Sequence, residues 1–452
     1  MRSARSLSAC GEAAGRSRVM STASHPTGCV TKYRNWSSGI DRGYGRGMTS
    51  SSLPPQGARR ALVVGSGISG LAAALSLHRA GWQPLIIERA PERRTGGYFV
   101  RFNGPGYTAA ERLGLLDSLP DRRDPEGRMF EVDSRGRLTP GLAFPEQVNG
   151  TPMRMLLRSD LERVLYEAVQ DRVEIRYGTG PAAITQDRNQ VTVTLTDGSV
   201  ESADLLIGAD GIHSTVRSLV FGPEDLYRED FDHVVAACVM DGPLPGMREG
   251  DALVATAPGR SAWINSYRDH PPVAFLLYRT DWPAAEIRKK PSEALRQAFA
   301  GFGGDVVPAM LEAMGRSESV LFDQVGQIHL GRWSQGRVVL LGDSAWCMTL
   351  HSGQGSGMGI AGAELLARML TDHDDLSAAL GNWEQRLRPF VTRHQKEALR
   401  MQHFFMPANR LGYVARRGLI RATNTSVGAK LGKALMNSTT RPAPARARTW
   451  SS

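Results

Sequence analysis

Six residues near position 65 have the types and spacing to hold a phosphate. Gly65-Ser66-Gly67-Ile68-Ser69-Gly70 follows the apolar run Ala61–Val64 and opens the helical pattern Leu71–Ala80. Gly65 permits a tight turn, Gly67 lets the backbone approach a pyrophosphate, and Gly70 lets helix and strand pack closely. The helix start, with Ser69 in its first turn, offers free N–H groups and a positive dipole end to the phosphates. Glu88 stands 18 residues past Gly70, at the end of the next apolar run, where it can accept hydrogen bonds from a ribose diol. Arg89 beside it is a further candidate contact. An acid at this point favours an unphosphorylated adenosine ribose, and so FAD or NAD rather than NADP.

A second set of candidates lies near residue 350. Asp343 ends the buried run Arg337–Leu341, where a carboxylate must find donors or bear a large desolvation cost. A hydroxyl of the bound nucleotide beside the pyrophosphate would be such a donor. Gly353, Gly355, Gly357 and Gly359, with Gln354 among them, leave bare backbone before a helix expected over Gly359–Leu370. Its N–H groups could face negative charge that gathers on a bound cofactor. No Ser/His/Asp triad and no metal-ligand spacing stands out, so no metal is expected.

The elements that would position these groups follow from periodicity. Ala61–Val64, the helix Leu71–Ala80 and Pro84–Glu88 make one βαβ unit. A helix is expected over Ser159–Gln170, with Ser159 as N-cap and Glu162 in the capping box. Gln190–Thr196 alternates Val and Thr and turns at Asp197-Gly198, a hairpin pattern. His233–Met240, Ala252–Ala257, Ala262–Tyr267 and Val273–Arg279 read as an antiparallel sheet. The fold class is therefore α/β (α+β, two domains): a Rossmann-type domain interleaved with an antiparallel-sheet domain, plus C-terminal helices. The expected division gives 58–127, 151–228 and 322–400 to the nucleotide-binding domain. Residues 128–150 and 229–321 go to the substrate-binding sheet domain, and 401–452 to helices and a disordered tail.

Composition narrows the function. The chain has 452 residues, 41% of them apolar, enough for two packed cores. The net charge of +10 sits at the ends: residues 1–60 carry ten Lys/Arg against Glu12 and Asp41, and 408–452 carry nine and no acid. The middle is mildly acidic, which argues against nucleic-acid binding. No apolar run is long enough for a transmembrane segment. Four scattered cysteines suggest a reducing compartment, and a cytoplasmic location is expected. Residues 1–57, rich in Ser, Gly and Arg, read as a disordered extension, a transit peptide to an organelle, or a start codon set upstream of Met48. Leu411–Ile420 is a basic amphipathic segment that could rest weakly on a membrane surface. Nothing in the sequence sets the oligomeric state.

Two later motifs make a resemblance specific. Asp204-Leu-Leu-Ile-Gly208-Ala209-Asp210-Gly211-Ile-His-Ser-Thr-Val-Arg217 resembles the "DG" motif of class A FAD-dependent monooxygenases, the para-hydroxybenzoate hydroxylase-like family. Gly336-Arg-Val-Val-Leu-Leu-Gly342-Asp343-Ser-Ala resembles its "GD" motif and runs into Gly353-Gln354-Gly355. The resemblance covers roughly 59–400. It implies bound FAD, NAD(P)H as a transient co-substrate without a second Rossmann fold, and O2. It also implies a flavin C4a-hydroperoxide that hydroxylates a small aromatic or polyketide-like molecule. By the same resemblance Arg158 would contact the flavin or pyrophosphate, Asp210 would organise the nucleotide site, and Arg217 would assist the pyrophosphate or NAD(P)H. A helix-surface cation is the blander reading of both arginines, and a satisfied turn residue that of His213.

The sequence also departs from the family. Where relatives carry His and then Pro-Pro, this chain reads Trp346-Cys347-Met348-Thr349-Leu350-His351-Ser352. An aromatic followed by Cys is similar to a branch acting on polyketide-like compounds, including tetracycline-modifying oxygenases. Trp346 either shapes the flavin pocket or fills core, and His351 is a weak candidate to polarise a substrate hydroxyl. Gly96-Gly97-Tyr98-Phe99 resembles the same branch, so Tyr98 and Phe99 are candidates to line the substrate pocket, or a plain aromatic core. Trp263, with Tyr267, Phe275 and Tyr278, is a candidate on the sheet. The competing readings are a flavoprotein that binds or sequesters such a compound without turnover, and a flavin-dependent halogenase, whose Trp-x-Trp-x-Ile-Pro signature is absent.

Overall fold

The computed structural model describes residues 57–93, 97–133, 135–142, 147–148, 151–244, 246–317 and 320–424. The expectations for 1–56, for Gly96 and for the tail from Arg441 lie outside them. Two sheets organise the described chain. The first has six strands: Arg60–Val64 pairs in parallel with Gln83–Glu88 on one side and Leu205–Gly208 on the other, and Glu174–Tyr177 and Val338–Leu340 extend it. Ser334–Gln335 adds a short antiparallel edge, and the central strands are apolar runs because helices cover them. The helix Ile68–Arg79 buries Leu71, Leu75 and Leu77 at 2% exposure or less, and the helix Gly355–Asp372 packs beside it.

The second sheet has seven strands and is mainly antiparallel. Its centre, Arg228–Val239, Val273–Arg279, Arg260–Asn265 and Ala252–Ala257, follows the alternation expected from sequence. Alternation gives it two faces. Leu276 and Tyr278 pack under the helices Pro291–Ala298 and Val306–Arg316, while Phe275 and Leu277 turn the other way with Trp263 and Val325. Tyr278 meets Phe299 at 6.0 Å on the covered face, and Tyr267 is buried with Leu157 and Val273, so neither belongs with Trp263. The strand Leu321–Ile328 pairs with Arg228–Val239, so the boundary expected at 322 falls inside a strand of this second sheet.

Several local expectations shift for identifiable reasons. The helix expected from Ser159 begins at Arg158, with Leu157 as its N-cap. Asp160, not Glu162, returns the box contact by accepting from Leu157 N at 2.9 Å. Asp160 also takes two bonds from Arg122 at 2.6 Å, and Glu162 is engaged by Arg93 instead. The helix expected from Gly359 starts one turn earlier, at Gly355. Its early glycines are spent on close packing: a Cβ on Gly106 would lie 2.4 Å from Gly357 Cα, and one on Gly359 would lie 2.3 Å from Ser69 Oγ. The helix Leu376–Phe405 is 30 residues long and contains Pro389. Arg410–Thr423 follows it, fastened by Arg416, whose guanidinium donates two 2.7 Å bonds to Glu131 on the second sheet. Among the described residues no helix is long and apolar enough to cross a membrane.

Candidate active site

One cleft of about 1440 Å³ runs from the glycine-rich turn to the open face of the second sheet. Pockets for one drug-sized ligand span about 300–1,000 Å³, so this one has room for a dinucleotide and a further small molecule. At its nucleotide end Gly65 has φ +105° and donates to Ile87 O at 2.8 Å. A Cβ there would lie 2.5 Å from Ala209 O, and one on Gly70 would lie 1.9 Å from Gly65 O. Both glycines are therefore required by close approach. Glu88 is fixed by Ser66 N (2.9 Å), Ser66 Oγ and Ala90 N (2.8 Å), and still lines the cleft with Gly67, Ser69 and Arg89. The Ser69 hydroxyl is wedged between Gly342 and Gly359, which ties the first motif to the last.

Asp210 lines the cleft while its two oxygens accept from Ser214 Oγ (2.6 Å) and Val216 N (3.1 Å). Desolvation pushes its carboxyl above the usual range, those bonds pulling it back. It thus shapes the turn that lines this end of the cleft. Asp343 opens onto the cleft floor, deep among protein atoms; the desolvation there raises its carboxyl, with Arg158 pulling it down. Gly355 backs it, a Cβ there lying 3.7 Å from Asp343 Oδ1. Arg158, Gly353 and Gly355 all line the cleft. Gln354 does not: its side-chain amide donates to Asn103 Oδ1 at 2.7 Å. Arg217 is a correction. It contacts neither the cleft nor bulk water, is 0% exposed, and donates to Ser344 O, Ile212 O and Glu224. It clamps the second motif to the third from behind. His213 is the turn residue expected, 3.1 Å from Glu224 and half exposed.

At the substrate end Tyr98, Phe99, Trp263 and Phe275 meet. Phe99 stacks on Trp263 at 6.2 Å and meets Phe275 at 6.1 Å, and Tyr98 meets Phe275 at 5.9 Å. Phe405, at the end of the 30-residue helix, closes on Trp263 at 5.1 Å. Sequence reasoning missed Phe405 as a lining residue; its signal was the apolar face of the Glu397–Phe405 segment. It also missed Arg101, signalled by the alternation Phe99-Val-Arg-Phe.

Trp346 is the second correction: it is 1% exposed, lies outside the cleft and packs on Trp333 (4.5 Å) and Trp383 (5.7 Å). Asp343, the first residue of the short helix Asp343–Trp346, lines the cleft, whereas Trp346 at its end lies in the core. His351 does line the cleft, 3% exposed, with Nε2 unpartnered and its ring edge-on to buried His233 at 5.4 Å. Burial pushes its pKa down to about 3, helped by His233, so it is neutral near pH 7. The loop before it is held by Thr349, at φ +65° the only non-glycine residue with positive φ among those described. Such backbone costs about 1–3 kcal/mol and is kept where the surroundings enforce it.

The residues present fit FAD: a glycine cradle that any Cβ would fill, an acid for the ribose, a floor carboxylate and a helix start beside it. Comparison with known proteins agrees. An FAD binding domain model matches residues 59–380. An uncharacterized protein of Mycobacterium tuberculosis is 31% identical over 356 residues, 74% of this chain and 91% of its own length. A flavin-dependent monooxygenase of Legionella longbeachae is 29% identical, covering 76% of this chain and 89% of its own. Among solved structures, tetracycline destructase Tet(55) superposes with a TM-score of 0.70 at 25% identity, over 86% of this chain and 98% of that one. Klebsiella pneumoniae HpxO, complexed with FAD and uric acid, shares the fold at a TM-score of 0.69 and 24% identity, over 86% of this chain and 99% of that one. With its cradle, its floor carboxylate and its aromatic end arranged along one cleft, the chain belongs to the class A FAD-dependent monooxygenases.

Proposed function

We propose that this chain uses NAD(P)H and O2 to hydroxylate an aromatic or polyketide-like small molecule. The observation that carries the reading is the continuity of the cleft, from the pyrophosphate cradle to an aromatic wall with no break between them. Bound FAD supplies the redox chemistry, accepting reducing equivalents from the nicotinamide and activating O2. The protein's own residues position and shield. Gly65, Gly67 and the helix start at Ile68 hold the pyrophosphate, Glu88 the ribose, and Asp343 with Arg158 the ribityl region. The N-terminus of Gly355–Asp372 presents its dipole to negative charge on the flavin. Phe99, Trp263, Phe275 and Phe405 grip a flat ring and keep water out. His351, neutral and with a free Nε2, is placed to exchange a hydrogen bond with a substrate hydroxyl. The tetracycline destructases and the uric acid complex among the similar structures support a polar ring system as substrate.

The test is an anaerobic absorbance titration of the FAD-loaded protein with NADPH and NADH, alone and with a panel of polyketide phenols. Bleaching of the flavin, accelerated by one compound class, is expected. If FAD binds but neither nicotinamide reduces it under any condition, the hydroxylase reading fails in favour of a binding or externally reduced flavoprotein.

A further inference from the structure

The strand Phe99–Phe102 has two unlike faces. Val100 and Phe102, 5% and 1% exposed, sit in the core under the first sheet. The two-residue period of a strand therefore puts Phe99 and Arg101 on the opposite face, and both line the cleft. Phe99 spends its side on Trp263 and Phe275. The Arg101 guanidinium lies against Gly353, where a Cβ would be 3.3 Å from Nη2 and 3.4 Å from Nε.

Three other cations drawn into the fold are met. Arg122 has Asp160, Arg217 has Glu224 and two carbonyls, and Arg416 has Glu131. Arg101 donates to no described residue, although a guanidinium brings five N–H donors and keeps its charge at any ordinary pH. Desolvation works against that charge, and no carboxylate stands near enough to offset it. The residue is partly exposed, onto the cleft, and a cation drawn even partly out of water without a partner is costly. Here it is held on the same strand face as the aromatic wall, at the junction between the ring-binding end and the loop that precedes Gly355.

We propose that Arg101 is the anion-recognising residue of the substrate end of the cleft. Its partner is a carboxylate, or an enol or phenol ionised on binding, carried by an aromatic or fused-ring substrate. The contact is an ion pair, with no bond made or broken. The planar fork of the guanidinium suits a bidentate carboxylate or a vicinal keto-enolate, while Phe99 and Trp263 hold the ring beside it. The proposal rests on the monooxygenase reading of this cleft for its substrate, and it is tested without turnover.

The experiment titrates the oxidised, FAD-loaded full chain at pH 7.5 with 2-naphthoate and with neutral 2-naphthamide, following the visible absorbance of the flavin. Wild type, R101Q and R101K are compared, with flavin content as the check that each variant folds. Wild type is expected to bind the naphthoate at least tenfold more tightly than the amide. R101Q should erase the difference, and R101K should keep part of it. Equal affinities in wild type, no saturable naphthoate signal, or selectivity that survives R101Q would each overturn the proposal. The reduction potential of the bound flavin is measured on the same proteins. If R101Q moves the potential and leaves naphthoate selectivity intact, the anion met by Arg101 is the reduced flavin and the proposal fails. Because no nicotinamide is used, a protein that never oxidises NADPH can still pass or fail this test on its own terms.

Discussion

Replacing Arg217 with Met asks whether that side chain is a ligand contact or a structural clamp. The guanidinium donates to Ser344 O at 2.9 Å, Ile212 O at 2.6 Å and Glu224 Oε2 at 2.8 Å. Hydrogen bonds from charged groups contribute about 1.5–3 kcal/mol each, so their simple sum exceeds what most substitutions cost. Two offsets reduce it. Glu224 keeps Arg228 and is partly open to water, so it is not stranded. The methionine refills most of the volume with an apolar chain. The net falls near the low end for breaking a buried ion pair, about 3 kcal/mol. Unfolding entropy of about 2.1 cal/mol/K per residue over roughly 360 folded residues gives about 0.8 kcal/mol/K, hence a fall in Tm of about 4 °C. The assay is thermal unfolding of protein stripped of FAD and of protein saturated with it, by circular dichroism and flavin fluorescence. A clamp lowers both midpoints together. A pyrophosphate or nicotinamide contact would leave the stripped protein unchanged and weaken only ligand binding; that outcome would refute the reasoning.

Gly65→Ala must place a side chain at φ +105° and 2.5 Å from Ala209 O, so FAD affinity is expected to drop at least tenfold, read by equilibrium dialysis. Trp346→Ala should destabilise the fold by about 3–5 kcal/mol, as large aromatic truncations do, measured by urea denaturation, while Trp346→Phe leaves the flavin spectrum unchanged. A changed spectrum in the phenylalanine variant would return Trp346 to the flavin pocket. His351 has a folded pKa depressed to about 3 from the ordinary 6.5, so the native state binds fewer protons than the unfolded chain across that window. Its contribution is complete above pH 6.5 and is lost as the pH falls toward 3, at about 1.4 kcal/mol per unit. His351→Gln should flatten the acid side of the stability profile by about that slope, leaving the share of His233, which burial lowers as well.

What the sequence made legible was whatever depends on local spacing. The glycine turn, Glu88, Asp210 and Asp343 carry their meaning in a few consecutive residues, and the structure gathers all of them on one cleft. The hairpin after Gln190 and the central strands of the second sheet follow from alternation alone. The direction in which a side chain leaves a loop was not legible. Trp346 and Asp343 sit three residues apart, yet one lines the cleft and the other lies in the core, a difference that no local pattern marks. Arg217 read as a pyrophosphate or nicotinamide contact, or else as a helix-surface cation, because its three acceptors come from positions as far away as Ser344, which no local pattern reveals. Asp160 displaced Glu162 from the capping box because the helix is capped by Leu157 and not Ser159, which makes Asp160 the third helical residue, the one able to reach back to the N-cap backbone.

The helix Leu376–Phe405 reaches from one end of the site's support to the other. Near its start Trp383 donates to Gly362 O at 2.8 Å and is buried in the first core. At its end Phe405 touches Trp263 at the aromatic end of the cleft. Pro389 lies between them and has no N–H to give the preceding turn, which makes that point the softest in the rod. The sixteen residues from Pro389 to Phe405 span about 24 Å at 1.5 Å each. Mechanically this is a lever with its fulcrum at the proline: a tilt of about 10° there would carry Phe405 about 4 Å at that radius, nearly the width of an aromatic ring. Such a tilt is resisted on the far side of the joint as well as at Trp383: Val391, Gln395, Ala398 and Gln402 are buried there, and Gln395 Nε2 donates to Ile328 O at 2.8 Å, so the rod keeps Phe405 seated against Trp263.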